Sequence, residues 1–345
     1  AKQVYLEGDV KLETVDSTGP VVLSTAVDGP GGLAVNGGSG PIVLGAVGEK
    51  VPLAYLDISG DGPLAIGGDV SATGDIAWHG STKKGVTTTL SLLENLLFES
   101  ESGNIDLTGG LVDGTDGNGS YALSVIAGQG DVFLADVGQP TEADPLNRLA
   151  SLSVSTPGTA YLSGDIATSG ADGIDFSQAA AVELASDVTL DSADLAADPL
   201  AGGQVLLTGG AVDGAYNLEV LAGSGDVTLS HVGQSVALSQ LDVATTGQLT
   251  MNGFAAADGN MTLNGGAIAM ASNALAQSNS GDIFFTAGTG DVLLGELNSV
   301  EGDVEITSEK GDILNNRVAD GETITLNITL DRKSTRLNSS HVKIS

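Results

Sequence analysis

Residues 281–314 read GDIFFTAGTGDVLLGELNSVEGDVEITSEKGDIL, and Gly-Asp followed by Ile or Val returns four times in them, at Gly281, Gly290, Gly302 and Gly311. The steps are 9, 12 and 9 residues, so neighbouring steps span 21 residues both ways. A unit of this length carrying two such signals marks a stacked repeat architecture. Each signal is followed by alternating apolar residues, as in Ile283 and Phe285, Val292 and Leu294, Val304 and Ile306. Alternation after a turn signal predicts short strands with one buried face.

Two strand series can be followed upstream from this stretch. One runs Val205/Leu207, Val227/Leu229, Leu249/Met251, Ile268/Met270 and Val292/Leu294. The other runs Leu218/Val220, Leu241/Val243, Met261/Leu263, Ile283/Phe285, Val304/Ile306 and Ile324/Leu326. A weaker third series of single apolar residues lies between them: Val212, Val232, Phe254, Leu275, Leu297 and Val318. Three strand positions per turn predict an all-β, right-handed parallel β-helix (a β-solenoid) of about 21 residues per rung. Inward side chains must then repeat with the rung, because each lies over its counterpart below. The corners are expected to use Gly for backbone angles that other residues resist. Their Asp is expected to accept hydrogen bonds from the same corner's amides. Ten Gly-Asp pairs precede Val or Ile, too many for unrelated loops. About 15 rungs of roughly 4.8 Å are expected, which sum to about 70 Å.

A longer repeat overlies the short one. GGLVDG at 109–114 returns as GGAVDG at 209–214, and LSVIAGQGDVFLADVGQ at 123–139 returns as LEVLAGSGDVTLSHVGQ at 218–234. A third copy reads LAVNGGSGPIVLGAVGE at 33–49. The segment TTLSLLENLLFES, residues 88–100, looks helical from its leucines, yet its last ten residues align without gaps on ELASDVTLDS at 183–192. Both are therefore expected to be strands.

Composition narrows the function classes. The 345 residues include 50 Gly and no Cys, with a formal net charge of −32. Without Cys there is neither a disulfide framework nor a thiolate metal site. No apolar run is long enough to span a bilayer as a helix, so no membrane insertion is expected. The opening AKQVYLEGDV has neither Met nor a charged-then-apolar leader, and reads as an interior stretch of a longer protein. From Asp331 the chain changes character, and DRKSTRLNSSH resembles a translated sequencing adapter. Residues 331–345 are accordingly expected to be a non-native tail that adds no stability, and residues 1–330 the repeat region. Without the tail's four basic and one acidic residues the net charge is −35. That excludes nucleic acid as a partner, since its binding relies on Lys and Arg neutralising phosphates.

GSGDVTLSHVGQ (223–234), LSQLDVATTGQLTMNG (238–253) and AVELASDVTLDS (181–192) resemble the repeats of large bacterial exoproteins of the filamentous-haemagglutinin type. The resemblance implies long right-handed β-helices in secreted adhesins or autotransporter passengers. It also implies a surface protein or glycan on a host or neighbouring cell as target, and an outer-membrane secretion partner encoded outside this stretch. The alternative is a fragment of a β-helix carbohydrate-active enzyme, a lyase or hydrolase. The eight basic residues outside the tail are scattered apart from Lys83-Lys84, and the acidic ones fall at corners, so no catalytic, cofactor or metal residues are assigned. Trp78-His79 in GDIAWHGSTKKG is the densest cluster of unusual side chains, and loops 71–89 and 140–148 are the expected contact loops. His231 occupies a slot held by Ala46 and Asp136 in the other copies, and reads as an outward residue. DGTDGNGS, residues 113–120, offers Asp113, Asp116, Asn118 and Ser120 as oxygens suited to Ca²⁺, but at no known calcium-loop spacing. A solvated turn is the expectation there.

Overall fold

The computed structural model describes residues 3–14, 18–81, 83, 86–114, 121–139, 147–194 and 201–316. Among them every regular element is a strand, and the strands stack in parallel as a β-solenoid of about 13 turns, about 22 residues apart. The chain divides into two units, one of residues 1–172 and 178–180, the other of 173–177 and 181–345.

In the second unit three parallel sheets run through successive turns. The first joins Val205, Val227, Leu249, Ile268, Val292 and Ile313 in register. The second joins Val188, Leu218, Leu241, Met261, Ile283 and Val304. These are the two apolar series legible in the sequence. Their inward residues are almost fully buried, Leu249 at 0% and Phe285 at 1% exposure, so each contributes about 1.5–3 kcal/mol of hydrophobic stabilisation. Val304 and Ile306 are half-buried, because no further rung lies over them among the described residues.

The third sheet corrects the weak series. It joins Val212, Val232, Ala255, Ala276 and Leu297 in register. Phe254 and Leu275 pair with each other one position earlier and are half-buried on the outer side, whereas Ala255 and Ala276 are buried. In these two turns the large apolar residue marks the outside of the sheet and a small one its inside, whereas Val212 and Val232 are buried as the series expects. Val318, Ile324 and Leu326 lie outside the described residues.

In the first unit one column joins Val10, Leu33, Leu56, Ile76, Ile105, Val132 and Ala160. Another joins Val70, Phe98, Val125 and Val154. The segment with a helical look forms the strands Thr89–Leu92 and Leu96–Ser100, with Leu92, Leu96 and Phe98 buried. The rung count falls short of the expected 15 because the later turns of this unit are longer. Ile76, Ile105, Val132 and Ala160 stand 29, 27 and 28 residues apart.

Candidate functional site

The corners are where most polar chemistry is concentrated, and they work differently from the expectation. Asp282 Oδ1 accepts from the backbone N–H of Asp303 at 2.7 Å, and Asp291 Oδ1 from that of Asp312 at 2.8 Å. The carboxylate caps the next rung's corner, not its own. The same bond recurs from Asp9 to Gly32, Asp69 to Leu97, Asp131 to Thr159 and Asp226 to Gln248, at 2.7–2.9 Å. Asn serves equally, since Asn260 Oδ1 accepts from Asp282 N–H at 3.0 Å and Asn104 Oδ1 from Asp131 N–H at 2.8 Å.

The glycine beside each Asp is also there for another reason. None of Gly281, Gly290, Gly302 and Gly311 has a positive φ. A Cβ on Gly302 would instead lie 2.2 Å from Gly281 O, and one on Gly311 2.4 Å from Gly290 C. Close backbone approach between rungs, not conformational freedom, demands Gly here. Left-handed glycine is found at the Val-Gly turns of the long copies, with φ of 70° at Gly48, 62° at Gly138 and 66° at Gly233.

A buried hydroxyl completes the corner, and sequence reasoning missed it. Ser299 Oγ donates to Gly281 O at 3.1 Å and accepts from Gly302 N–H at 3.1 Å. Ser308 makes the equivalent pair with Gly290 and Gly311, and Ser100 with Gly74 and Gly103. The signal was present as Ser-x-x-Gly-Asp at 278–282, 299–303 and 308–312.

Buried carboxylates mark a second kind of corner. Asp28, fully buried, accepts from Lys50 and Val51 N–H at 2.8 and 3.3 Å, and its other oxygen accepts from Gln3 Nε2. Asp213 accepts from Ser235 and Val236 N–H at 2.8 and 3.2 Å. Asp113 holds the corresponding place in the middle copy, where Val112 bridges Val137 as Val27 bridges Val47. Asp113 thus ends the strand Leu111–Asp113, while Asp116, Asn118 and Ser120 lie outside the described residues.

The other residues singled out in the sequence separate. Trp78 points inward at 3% exposure in the strand Ile76–His79, aligned with Ile58, and offers no contact patch. Much of the expected loop 71–89 is strand, namely Val70–Ala72 and Ile76–His79. His79 does face outward, with Nε2 3.8 Å from Asp57 Oδ1. On the same face Lys11 Nζ lies 2.6 Å from Glu13. Its hydrogen bond to Glu13, then the charges of Glu13 and Asp57, hold Lys11 above the usual lysine range. Lys83, 2.6 Å from Asp61, and then Ser81 hold the Asp61 carboxyl below its usual value by hydrogen bonding. The groove among Lys11, Ala34, Asn36, Asp57 and Ser59 is about 170 Å³, smaller than the 300 Å³ or more of a typical ligand pocket. His231 is half-buried, and its Nδ1 accepts from Phe254 N–H at 3.4 Å. Asp136 in the same slot accepts from Asp165 N–H at 3.1 Å, so both side chains serve the next rung. Residues 140–146 of the other expected loop lie outside the described residues, and Asn147 and Arg148 are buried.

No family model, curated protein or solved structure matches the chain.

Proposed function

We propose that this chain is a structural segment of a secreted bacterial surface protein, serving as a stalk or an adhesion passenger. The observation that supports this reading most is where the polar side chains are directed. Asp282, Asp291, Ser299 and Ser308 bond to backbone groups of a neighbouring rung. Each turn is thereby tied to the next at its corners as well as along its strands. Side chains used in this way resist separation of rungs, which suits a load-bearing element, and they are not free to converge on a substrate. The reading is accordingly non-catalytic. Export to the cell surface is inferred from the resemblance to exoprotein repeats. The partner would be a protein or glycan on a host or neighbouring cell, met through outward side chains.

Single-molecule pulling from the two ends tests the mechanical part. Stepwise unfolding is expected, in increments of whole turns of about 22 residues, or about 75 Å of extended chain each. Unfolding at forces no higher than those of a helical bundle of similar length would sink the stalk reading. Beads coated with the protein and offered to host cells test the adhesive part, with uncoated beads as the control.

A further inference from the structure

The three long copies share a turn after their Val-Gly corner, and in two of them it is lined by apolar residues. Leu53, Leu149 and Leu238 hold one position, each at 0% exposure. They are preceded by Val51-Pro52, Asn147-Arg148 and Val236-Ala237. In the next rung Leu53 bridges Ala72, and Leu238 bridges Ala257. The middle copy has Thr168 at that place. It follows Ala167, whose N–H donates to Val137 O at 2.8 Å, just as Ser71, before Ala72, donates to Val47 O at 2.8 Å. Three positions that are apolar in two copies are therefore Asn, Arg and Thr in the middle one. They are not on the surface: Asn147 is 2% exposed, Arg148 3% and Thr168 0%.

Some of this buried polarity is met within the chain. Arg148 Nη1 donates to Thr168 O at 3.3 Å, and Asn147 Nδ2 donates to Gln139 O at 3.2 Å. The second bond fixes which end of the amide is nitrogen. Asn147 Oδ1 and Thr168 Oγ1 remain buried without a hydrogen-bond partner. Orphaned buried oxygens are costly, and these two lie in neighbouring rungs, Thr168 accepting at its carbonyl from the Arg148 that follows Asn147.

We propose that Asn147 Oδ1 and Thr168 Oγ1 hold one internal water molecule that ties the two rungs together. Size argues for a small ligand, because Arg148 and Thr168 are larger than the Pro52 or Ala237 and the Ala72 or Ala257 that stand in their places in the other copies. The donor set argues for a neutral one. The amide oxygen only accepts, so an anion is repelled there. A cation would suit both oxygens, but the Arg148 guanidinium already lies against the Thr168 carbonyl, and a second positive charge beside it is unfavourable at low dielectric. Water donates to Asn147 Oδ1 and exchanges a hydrogen bond with the hydroxyl, as buried waters do.

The full chain and its variants Asn147→Val, Thr168→Ala and the double variant test this. These substitutions install what the other two copies carry, so folding is retained. If water is held, each single variant strands the remaining partner and lowers Tm, by about 2–4 °C. The double variant, losing both groups and the water together, should recover the share owed to the water, its remaining loss being that of the Asn147 Nδ2–Gln139 O bond. Oxygen-17 relaxation dispersion should count one long-lived water fewer in the double variant. Single variants that raise Tm would overturn the proposal, because they would be relieving oxygens that nothing satisfies. So would a high-resolution map with a protein atom between the two oxygens, or with density there that grows on soaking in rubidium.

Discussion

Asn260, Asp282 and Asp303 stand at one corner in three successive rungs, and the first two do the same work with different charge. Each offers Oδ1 to the backbone N–H one rung on, at 3.0 and 2.7 Å. What the corner needs is thus a short side chain with an acceptor, and the charge is incidental to the bond. Asp282→Asn should therefore leave the thermal midpoint unchanged or raise it. Asp282→Ala should lower stability by about 0.5–1.5 kcal/mol, the net worth of one hydrogen bond. Equal losses in chemical denaturation would show that charge, not the acceptor, matters. Ser299 is the more sensitive position. At 1% exposure it serves both Gly281 O and Gly302 N–H, and Ser299→Ala leaves both in a site closed to water. A cost of about 1–3 kcal/mol is expected, read from the same denaturation series.

At the scale of the strand, the two main sheets were legible because β-branched and large apolar residues alternate with a strict period of two. That pattern leaves one choice of face, and Ile283, Phe285, Leu241 and Val243 are all buried as it requires. In the third sheet the weak series holds at Val212, Val232 and Leu297 and slips to the outer side at Phe254 and Leu275, for a physical reason. Ala255 and Ala276 give almost no hydrophobic signal, while Phe254 and Leu275 on the outer side give a strong one. Apolar size is then a poor guide to direction. The corrected register makes opposite predictions for neighbours. Ala276→Leu should cost about 1–3 kcal/mol through overpacking. Leu275→Ser, on the outer side, should cost less than that, and a reversal in urea melts would restore the original series. The corners were half legible. Gly-Asp located them, but partners one rung away are about 21 residues distant in sequence, so spacing within a corner could not reveal them. The Asn147, Arg148 and Thr168 set is legible only from the rung register of the three copies, because each residue alone reads as an ordinary polar side chain.

Across the whole molecule, the corner rule sets a conflict between hydrogen bonding and charge. The same bond that ties rungs together places acidic side chains in columns, Asp282 below Asp303 and Asp291 below Asp312. Two like charges about 5 Å apart repel by roughly 0.8 kcal/mol even in water. Asn relieves one column in the first unit, where Asn104 stands between Asp75 and Asp131. Elsewhere there is little to neutralise it, with 44 acidic against 12 basic residues in the sequence. Lys11 pairs with Glu13 and Lys83 with Asp61 in the first 83 residues, far in sequence from the columns at 282–312. Salt should therefore stabilise the protein. It shortens the screening length from about 30 Å at 0.01 M to about 3 Å at 1 M, which weakens repulsion along every column while leaving the buried Ser and Gly contacts untouched. Thermal melts in 10 mM and 1 M NaCl should show a higher midpoint in 1 M. The Asp282→Asn/Asp291→Asn double variant should show a smaller salt increment, because it keeps both acceptors and removes two stacked charges. Low salt with millimolar Ca²⁺ should also raise the midpoint, by bridging neighbouring carboxylates without a dedicated metal site. Coincident midpoints in both NaCl concentrations would mean that the amide donors already compensate the columns. An increment equal in the double variant would place the salt effect elsewhere on the surface.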